Sequence, residues 1–478
     1  MRGSARTFTA AVAVVILLLG LVYFELSPGP GATKATNSPS TTSASTSAST
    51  VHQSSSSQTS SENLGADWLT YHGDNARTGY QAVANFTKVG PAWNSTTLDG
   101  DVYAEPLVFG SSVFVATENN SVYALDASDG AILWRTNLGP PVPGSALQCG
   151  DINPSGITGT PVIDPLTGTI YAVAFSGLHH TLYALDTTTG AVVFSRSAEP
   201  PGFIDTTQQQ RSALSLANGM VYVPYGGLAG DCGQYHGWVV GIPANGTGST
   251  SVYQVPTTRE GAIWAPSGAA VDSSGTLYVA TGNGASTTTF DHGDSVISLS
   301  TSLAETGFFA PTNWEQLNGN DADLGSVGPA IVGPGVLFQI GKEGVGYLLN
   351  ATKLGGIGGQ IFSAGVCSES FGGTAYSSPD LFVPCADGLY ELGVGSDSFT
   401  TAWHAQGFDA GPPIVTDQVV WTVDLSSSAL YGFSVTTGVQ LYSFPLGGVV
   451  HFCTPATGDG MLYVASDDQM MAFSFKSA

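Results

Sequence analysis

The sequence predicts an all-β fold, an eight-bladed β-propeller with four antiparallel strands per blade. Three observations point there: a recurring hairpin, eight evenly spaced strand cores, and a Gly-rich composition without helical periodicity. The hairpin is clearest in Val122–Trp134, VYALDASDGAILW, where two short β-prone runs flank Asp126, Ser128, Asp129 and Gly130. Those four residues supply turn chemistry, and Gly130 suits the φ > 0 position that closes a hairpin. The same unit recurs as Leu182–Phe194 and, more loosely, as Leu430–Tyr442.

In chain order, Arg2 and Arg6 precede an apolar run, Phe8–Phe24, and residues 1–24 are expected to be a signal anchor, with a cleaved signal peptide as the alternative. The anchor would tie the protein to a membrane and export the remainder. Residues 25–65 are Ser, Thr, Ala, Pro and Gly with little to bury, a disordered linker or stalk. The propeller is expected over 66–478.

Within it, short apolar-aromatic-apolar strands start at Val113, Ile170, Val221, Leu277, Leu337, Leu381, Val419 and Leu462. Their spacing of roughly 50 residues matches one four-stranded blade each. Pro106, Pro161, Pro329, Pro413 and Pro455 are placed to open innermost strands, with Ala269 and Ala375 in the equivalent places elsewhere. The last blade, Val449–Phe475, runs out after three strands, and Pro91–Leu98 offers the missing outer strand. Closing the ring that way removes two free sheet edges. Eight blades are expected, with seven as the alternative. Trp93, Trp134, Phe194 and Tyr442 share one place in their repeats and are expected to wedge between blades.

Charge narrows the partners. Twelve Lys+Arg against 36 Asp+Glu give a net charge of −24, which repels phosphate backbones and argues against nucleic acid. Loop counting places Asp231, His236, Trp264, Asn283, His292, Asp321, Asp323 and Lys342 on one face of the ring, with His179, His180 and His451. The five cysteines map to that face as well; Cys149 is expected to pair with Cys232 and Cys367 with Cys385, leaving Cys453 free. Asp291-His292-Gly-Asp294 reads as a polar surface loop rather than a metal site. Asn85, Asn94, Asn119, Asn245 and Asn350 stand in N-x-S/T sequons.

The segments Glu260–Asp272 (EGAIWAPSGAAVD), Leu277–Gly284 (LYVATGNG) and Gly341–Asn350 (GKEGVGYLLN) resemble the PQQ-dependent alcohol dehydrogenases, and the hairpin is similar to that family's A-x-D-x-x-T-G-x-x-x-W repeat. The resemblance implies a quinoprotein-type propeller with a funnel on its loop-rich face. It implies that Trp264 forms the floor beneath the flat quinone, that Asn283 and Asp231 bind calcium, that Asp321 or Asp323 is the catalytic aspartate, and that Lys342 contacts the quinone. PQQ and calcium would be the cofactors, and a small alcohol or sugar the substrate. The chain departs from the family in lacking two adjacent cysteines, and it has no C-x-x-C-H haem motif. Similar repeats also build non-catalytic propellers, such as the scaffold of the outer-membrane protein assembly machinery. A cofactor-free propeller binding a surface protein or polysaccharide is therefore the second reading.

Overall fold

The turn chemistry of the repeat acts as its residues dictate. In the computed structural model, which describes residues 67–83 and 86–476, Ser121–Asp126 and Ile132–Asn137 pair antiparallel around a turn closed by Gly130 at φ +75°. Asp126 Oδ1 accepts the Ser128 N–H at 2.8 Å, and Asp129 Oδ1 accepts that of Ala131 at 2.9 Å. Two sequon asparagines do similar work: Asn245 and Asn350 accept the N–H of Thr247 and Thr352. The expected anchor or signal (1–24), the linker (25–65) and Asn85 lie outside the described residues. No helix among the described residues is long and apolar enough to cross a membrane.

Eight sheets follow one another along the chain as eight blades, antiparallel throughout except where Gly356–Ile357 adds a parallel strand to the outer edge of blade 4. Blade 1 comprises Leu107–Phe109, Ser112–Ala116, Ser121–Asp126 and Ile132–Asn137, from the innermost strand outward. Every predicted strand core falls in the second strand of its own blade, and its first residue is at most 3% exposed. The five prolines stand directly ahead of the innermost strands that begin at Leu107, Val162, Ala330, Ile414 and Ala456. A residue without an N–H fits there, before the ladder begins.

Lys88–Asn94 closes blade 8, pairing antiparallel with Gln469–Lys476 beside Met461–Ser466 and Ala456–Gly458. The closing strand starts three residues before the predicted Pro91–Leu98, and its register shifts between Pro91 and Trp93. Proline's missing donor favours such an irregularity on an outer strand.

The outer aromatics dock successive blades. Trp93 Nε1 donates to Ala127 O of blade 1 at 2.8 Å, and Trp134 Nε1 donates to Thr187 O of blade 2 at 2.9 Å. Each indole lies flat against the glycine of the neighbouring hairpin; a Cβ on Gly190 would stand 2.5 Å from the Trp134 ring. Phe194 meets Gly246 in the same manner. Tyr442 departs from the expectation and stacks within its own blade on Trp421, at 5.2 Å. The blade beyond it is closed by Lys88–Asn94 and offers no third-to-fourth-strand hairpin. Trp403, missed in the sequence, docks on the turn of blade 7 through Val435 O at 2.8 Å. Trp134 is half-buried rather than buried. Trp134→Ala should therefore cost about 2–3 kcal/mol, below the range for a fully buried tryptophan, as read by denaturant melts.

A segment with no repeat signal closes the channel. Residues 68–81 pass the innermost strands in turn: Trp68 pairs with Val108, Leu69 O accepts from Ile163, and Asn75 Nδ2 donates to Leu216 O. Asn75 O, Ala76 O, Thr78 O and Gly79 O then accept from Val271, Ile331, Tyr376 and Val415. Tyr71 reaches blade 8 through Thr454, so the segment touches every blade. Arg77, only 1% exposed, donates to Ala269 O, Thr70 Oγ1, Tyr71 O, Leu214 O and Ser215 Oγ. Nearby Glu105 is buried, accepts from Trp68 Nε1 and the His72 N–H, and has its pKa raised by that burial. Burial also pulls the His72 imidazole down to about 3, so it is neutral.

Candidate functional site

The loops above this plug form the funnel. The second strand of blade 4, Leu277–Ala280, leads into the turn Thr281–Gly284. Gly282 is required there, because a Cβ would lie 2.6 Å from Asp323 Oδ1 and 3.2 Å from Trp264 Nε1. The fourth strand, Glu305–Ala310, continues into α1, Trp314–Asn320, which is too short to register as a helical period. Asn318 on α1 accepts the Gly284 N–H and donates to Ser286 O, both at 2.7 Å, tying the helix to the turn. Helix α1 ends at Asp321 in the left-handed conformation, φ +52°. That reversal brings Asp323 inward, where Oδ1 accepts the Asn283 N–H at 2.6 Å and Oδ2 lies 2.8 Å from Lys342 Nζ. Lys342 also donates to Asp321 O and Oδ1, each at 3.2 Å, and sits 5.8 Å from the Trp264 ring centroid.

Asp231 approaches from blade 3. It sits at φ +49° in the second-to-third-strand loop, with Tyr235 donating to its Oδ1 at 2.5 Å and Arg259 to its carbonyl oxygen at 2.9 Å. The adjacent Cys149–Cys232 disulfide, Cα–Cα 6.0 Å, ties this loop to the connection between blades 1 and 2. Cys367 and Cys385 form the second predicted bridge, and Cys453 is free and buried. Cys453 lies in the connection between blades 7 and 8, as expected, with its side chain buried and its thiol donating to Ala465 O.

Asp231, Trp264, Asn283, Asp321, Asp323 and Lys342 all line one cavity of about 240 Å³. The two candidate aspartates are distinguished within it: Asp323 is 4% exposed, whereas Asp321 stands at the exposed rim. His451 also lines the cavity, 3.4 Å from Asp151, but His236 and His292 do not. His292 instead faces Glu305 at 3.5 Å. Asp294 is fully buried, which corrects the surface reading of residues 291–294; its Oδ1 accepts the Leu324 N–H and so braces the Asp323 segment.

Among the lining residues that sequence reasoning missed, Arg211, Phe371 and Phe452 stand out. The innermost position of blade 3 is split between Gln208–Gln209 and Ser215–Ala217, and the chain between them carries Arg211 into the funnel. Arg211 is 9% exposed and has no hydrogen bond or ion pair among the described residues. Its guanidinium lies 4.7 Å from the Phe452 ring centroid and 6.0 Å from that of Tyr103. Phe371 and Phe452 stack on each other at 5.7 Å and approach Trp264 at 6.5 and 6.1 Å. No local pattern marks a strand interruption or a ring that meets its partners across the channel.

Burial dominates the electrostatics. It raises the Asp323 carboxyl above its ordinary range even though Lys342 opposes it. Burial would pull the Lys342 ammonium down, but Asp323 and Asp321 outweigh it and its pKa is raised. Asp231 and Asp323 belong to no cluster of three acidic, His or Cys ligand atoms within 4.8 Å of one another among the described residues, so a cation here would also need Asn283 and oxygens from a ligand. The Asn283 side-chain amide has no hydrogen-bond partner among the described residues and is free to serve.

Residues 87–303 match the family model described as outer membrane protein assembly factor BamB. No curated protein sequence matches the chain. Among solved structures, quinohemoprotein alcohol dehydrogenase from Comamonas testosteroni superposes with a TM-score of 0.67 at 16% identity, covering 86% of this chain and 81% of that one. A europium-containing methanol dehydrogenase gives 0.66 at 15% identity, covering 86% and 98%. BamB from Moraxella catarrhalis gives 0.56 at 15% identity, covering 81% and 100%. At such identities the likeness speaks to the fold. With eight blades closed by an N-terminal strand and PQQ-type repeats matched over 87–303, the chain is an eight-bladed β-propeller whose fold resembles both the quinoprotein dehydrogenases and BamB.

Proposed function

We propose that this protein is an extracytoplasmic quinone-dependent dehydrogenase oxidising an alcohol or sugar, with PQQ and calcium as cofactors. The convergence of Trp264, Asn283, Asp231, Asp323 and Lys342 on one cavity carries the reading. The residues present suit such a group. Trp264 offers a partly exposed ring for a flat heterocycle. Lys342 and the unpaired Arg211 guanidinium suit a polycarboxylate in an otherwise acidic protein. Asp231 and Asn283 supply the oxygens that calcium prefers. When bound, the quinone supplies an electrophilic carbon that accepts hydride, and calcium polarises its carbonyl.

The chain's own residues handle the proton and the water. Asp323 Oδ accepts the alcohol proton, held in place by the Asn283 N–H and Lys342. Phe371 and Phe452 stand near Trp264 and exclude water with apolar surface. Two disulfides accord with an exported protein.

The competing reading, a cofactor-free propeller binding a surface protein or polysaccharide, draws support from the BamB family match. Titrating the purified chain with PQQ and calcium, while following reduction of an artificial dye by simple alcohols, separates the two. Calcium-dependent binding that is lost in Trp264→Ala and Asn283→Ala supports the dehydrogenase. No binding at micromolar PQQ leaves the scaffold reading standing.

A further inference from the structure

Away from the Trp264–Lys342 cluster, blade 2 and its connection to blade 3 bring four metal-ligating side chains close together. His179 and His180 open the third strand, His179–Asp186, after a tight turn in which Gly177 and Leu178 take φ +60° and +62°. Glu199 follows the outer strand, Val192–Ser197, and Asp205 lies in the connection to blade 3. The Glu199 carboxylate stands between the two imidazoles, with Oε2 3.4 Å from His179 Nδ1 and Oε1 3.8 Å from His180 Nδ1. Asp205 Oδ1 lies 3.9 Å from the same His180 nitrogen. Ligand atoms of His179, Glu199 and Asp205 all fall within 4.8 Å of one another.

Two of these atoms lack any other occupation. His180 is 2% exposed, and its Nδ1 and Asp205 Oδ1 are both buried without a hydrogen-bond partner among the described residues. A buried orphan nitrogen facing a buried orphan carboxylate oxygen is costly unless something sits between them. The imidazole is also held rigidly: Phe175 stacks on it at 4.1 Å, and Phe203 and Tyr225 meet it edge-on at 5.5 and 5.4 Å. Its backbone N–H donates to Glu199 Oε1 at 2.5 Å, which fixes the carboxylate in turn.

We propose that His179, His180, Glu199 and Asp205 form a binding site for one divalent transition-metal ion, zinc being the best suited. Two imidazole nitrogens with two carboxylate oxygens make a mixed N/O set, which zinc accepts and which calcium and magnesium, as all-oxygen binders, do not favour. Two carboxylates also neutralise a divalent ion. In a tetrahedron with bonds of about 2.1 Å, ligand atoms stand roughly 3.4 Å apart, so the His–carboxylate separations of 3.4, 3.8 and 3.9 Å need only a small contraction, while the two imidazoles must draw together on the ion. His179, with its side chain 72% exposed, provides the entry path. Four protein ligands leave no open position, so the ion is structural. It would fasten the connection carrying Asp205 and Thr206, whose carbonyl accepts the Gln148 N–H next to the Cys149–Cys232 bridge.

The test uses the full chain, stripped with a chelator and titrated with zinc by calorimetry, with metal content measured after dialysis. One zinc per chain and a raised melting temperature are expected. His179→Ala and Glu199→Gln should each weaken binding by at least about tenfold. Both avoid disturbing the aromatic box around His180, and cobalt loading gives an independent spectroscopic sign of a tetrahedral N/O site. Failure to retain zinc at micromolar concentration, or equal affinity in wild type and both variants, would overturn the proposal.

Discussion

Arg77→Met should lower the unfolding free energy by about 3–5 kcal/mol, the largest stability loss expected from a single substitution in this ring. The guanidinium is buried at the centre of the channel and donates five hydrogen bonds, to blade 3, blade 4 and the plug itself. Methionine fills similar volume but takes the Arg77 donor from buried Tyr71 O and leaves Ala269 O and Leu214 O with only the Ser215 and Thr70 hydroxyls. It also leaves Glu105 without its nearby cation; burial already raises that carboxyl, so it would stay protonated over a wider pH range. Arg77→Lys should lose less, since it keeps the charge but not the fork. Denaturant or thermal melts read both, and a methionine variant within about 1 kcal/mol of wild type would mean the plug is not what holds the blades together.

Asp323→Asn should reduce dye-coupled turnover by about 10²–10⁴-fold if Asp323 takes the substrate proton. Asparagine keeps one acceptor oxygen for the Asn283 N–H but loses the ion pair with Lys342, so a folded variant with a modestly lowered melting temperature is expected. Asp321→Asn, at the rim, should retain most activity. The pH profile supplies a second check. Burial raises the Asp323 carboxyl, so its ionised, proton-accepting form appears only above the usual carboxylate range. Turnover should therefore rise with pH along an acid limb displaced upward from about 3.9, and that limb should vanish in the asparagine variant. Unchanged turnover in Asp323→Asn would assign the proton to another group.

Much of the ring was legible because its signals are local. Gly130 and Gly190 mark hairpins, Pro106 and Pro161 mark strand starts, and Val113 or Leu277 begins a buried run; each follows from φ/ψ, donor count or side-chain alternation. The truncated last blade foretold a closing strand because an open edge is a liability, though not that the strand would start at Lys88. Loop counting also brought Asp231, Trp264, Asn283, Asp321, Asp323 and Lys342 onto one face, and they share one cavity.

What stayed hidden depends on distance across the ring. Residues 68–81 satisfy their backbone groups on strands from successive blades, so no window of sequence reports where they go. Arg211 enters the funnel only because the inner strand of blade 3 is interrupted, and Tyr442 turns to Trp421 only because the next blade is closed by the N-terminal strand. Asp321 and Asp323 were equivalent as letters; the left-handed end of α1 sends one to the rim and buries the other. His180, Glu199 and Asp205 belong to a strand, an outer-strand end and an inter-blade connection, which meet only once blades 2 and 3 pack together. The repeat, the closure and the face on which the polar loop residues gather follow from the order of residues, since turns and alternation are short-range constraints. The tertiary structure alone decided which side chains meet and which are buried, because desolvation and ligand convergence exist only when distant segments share a volume.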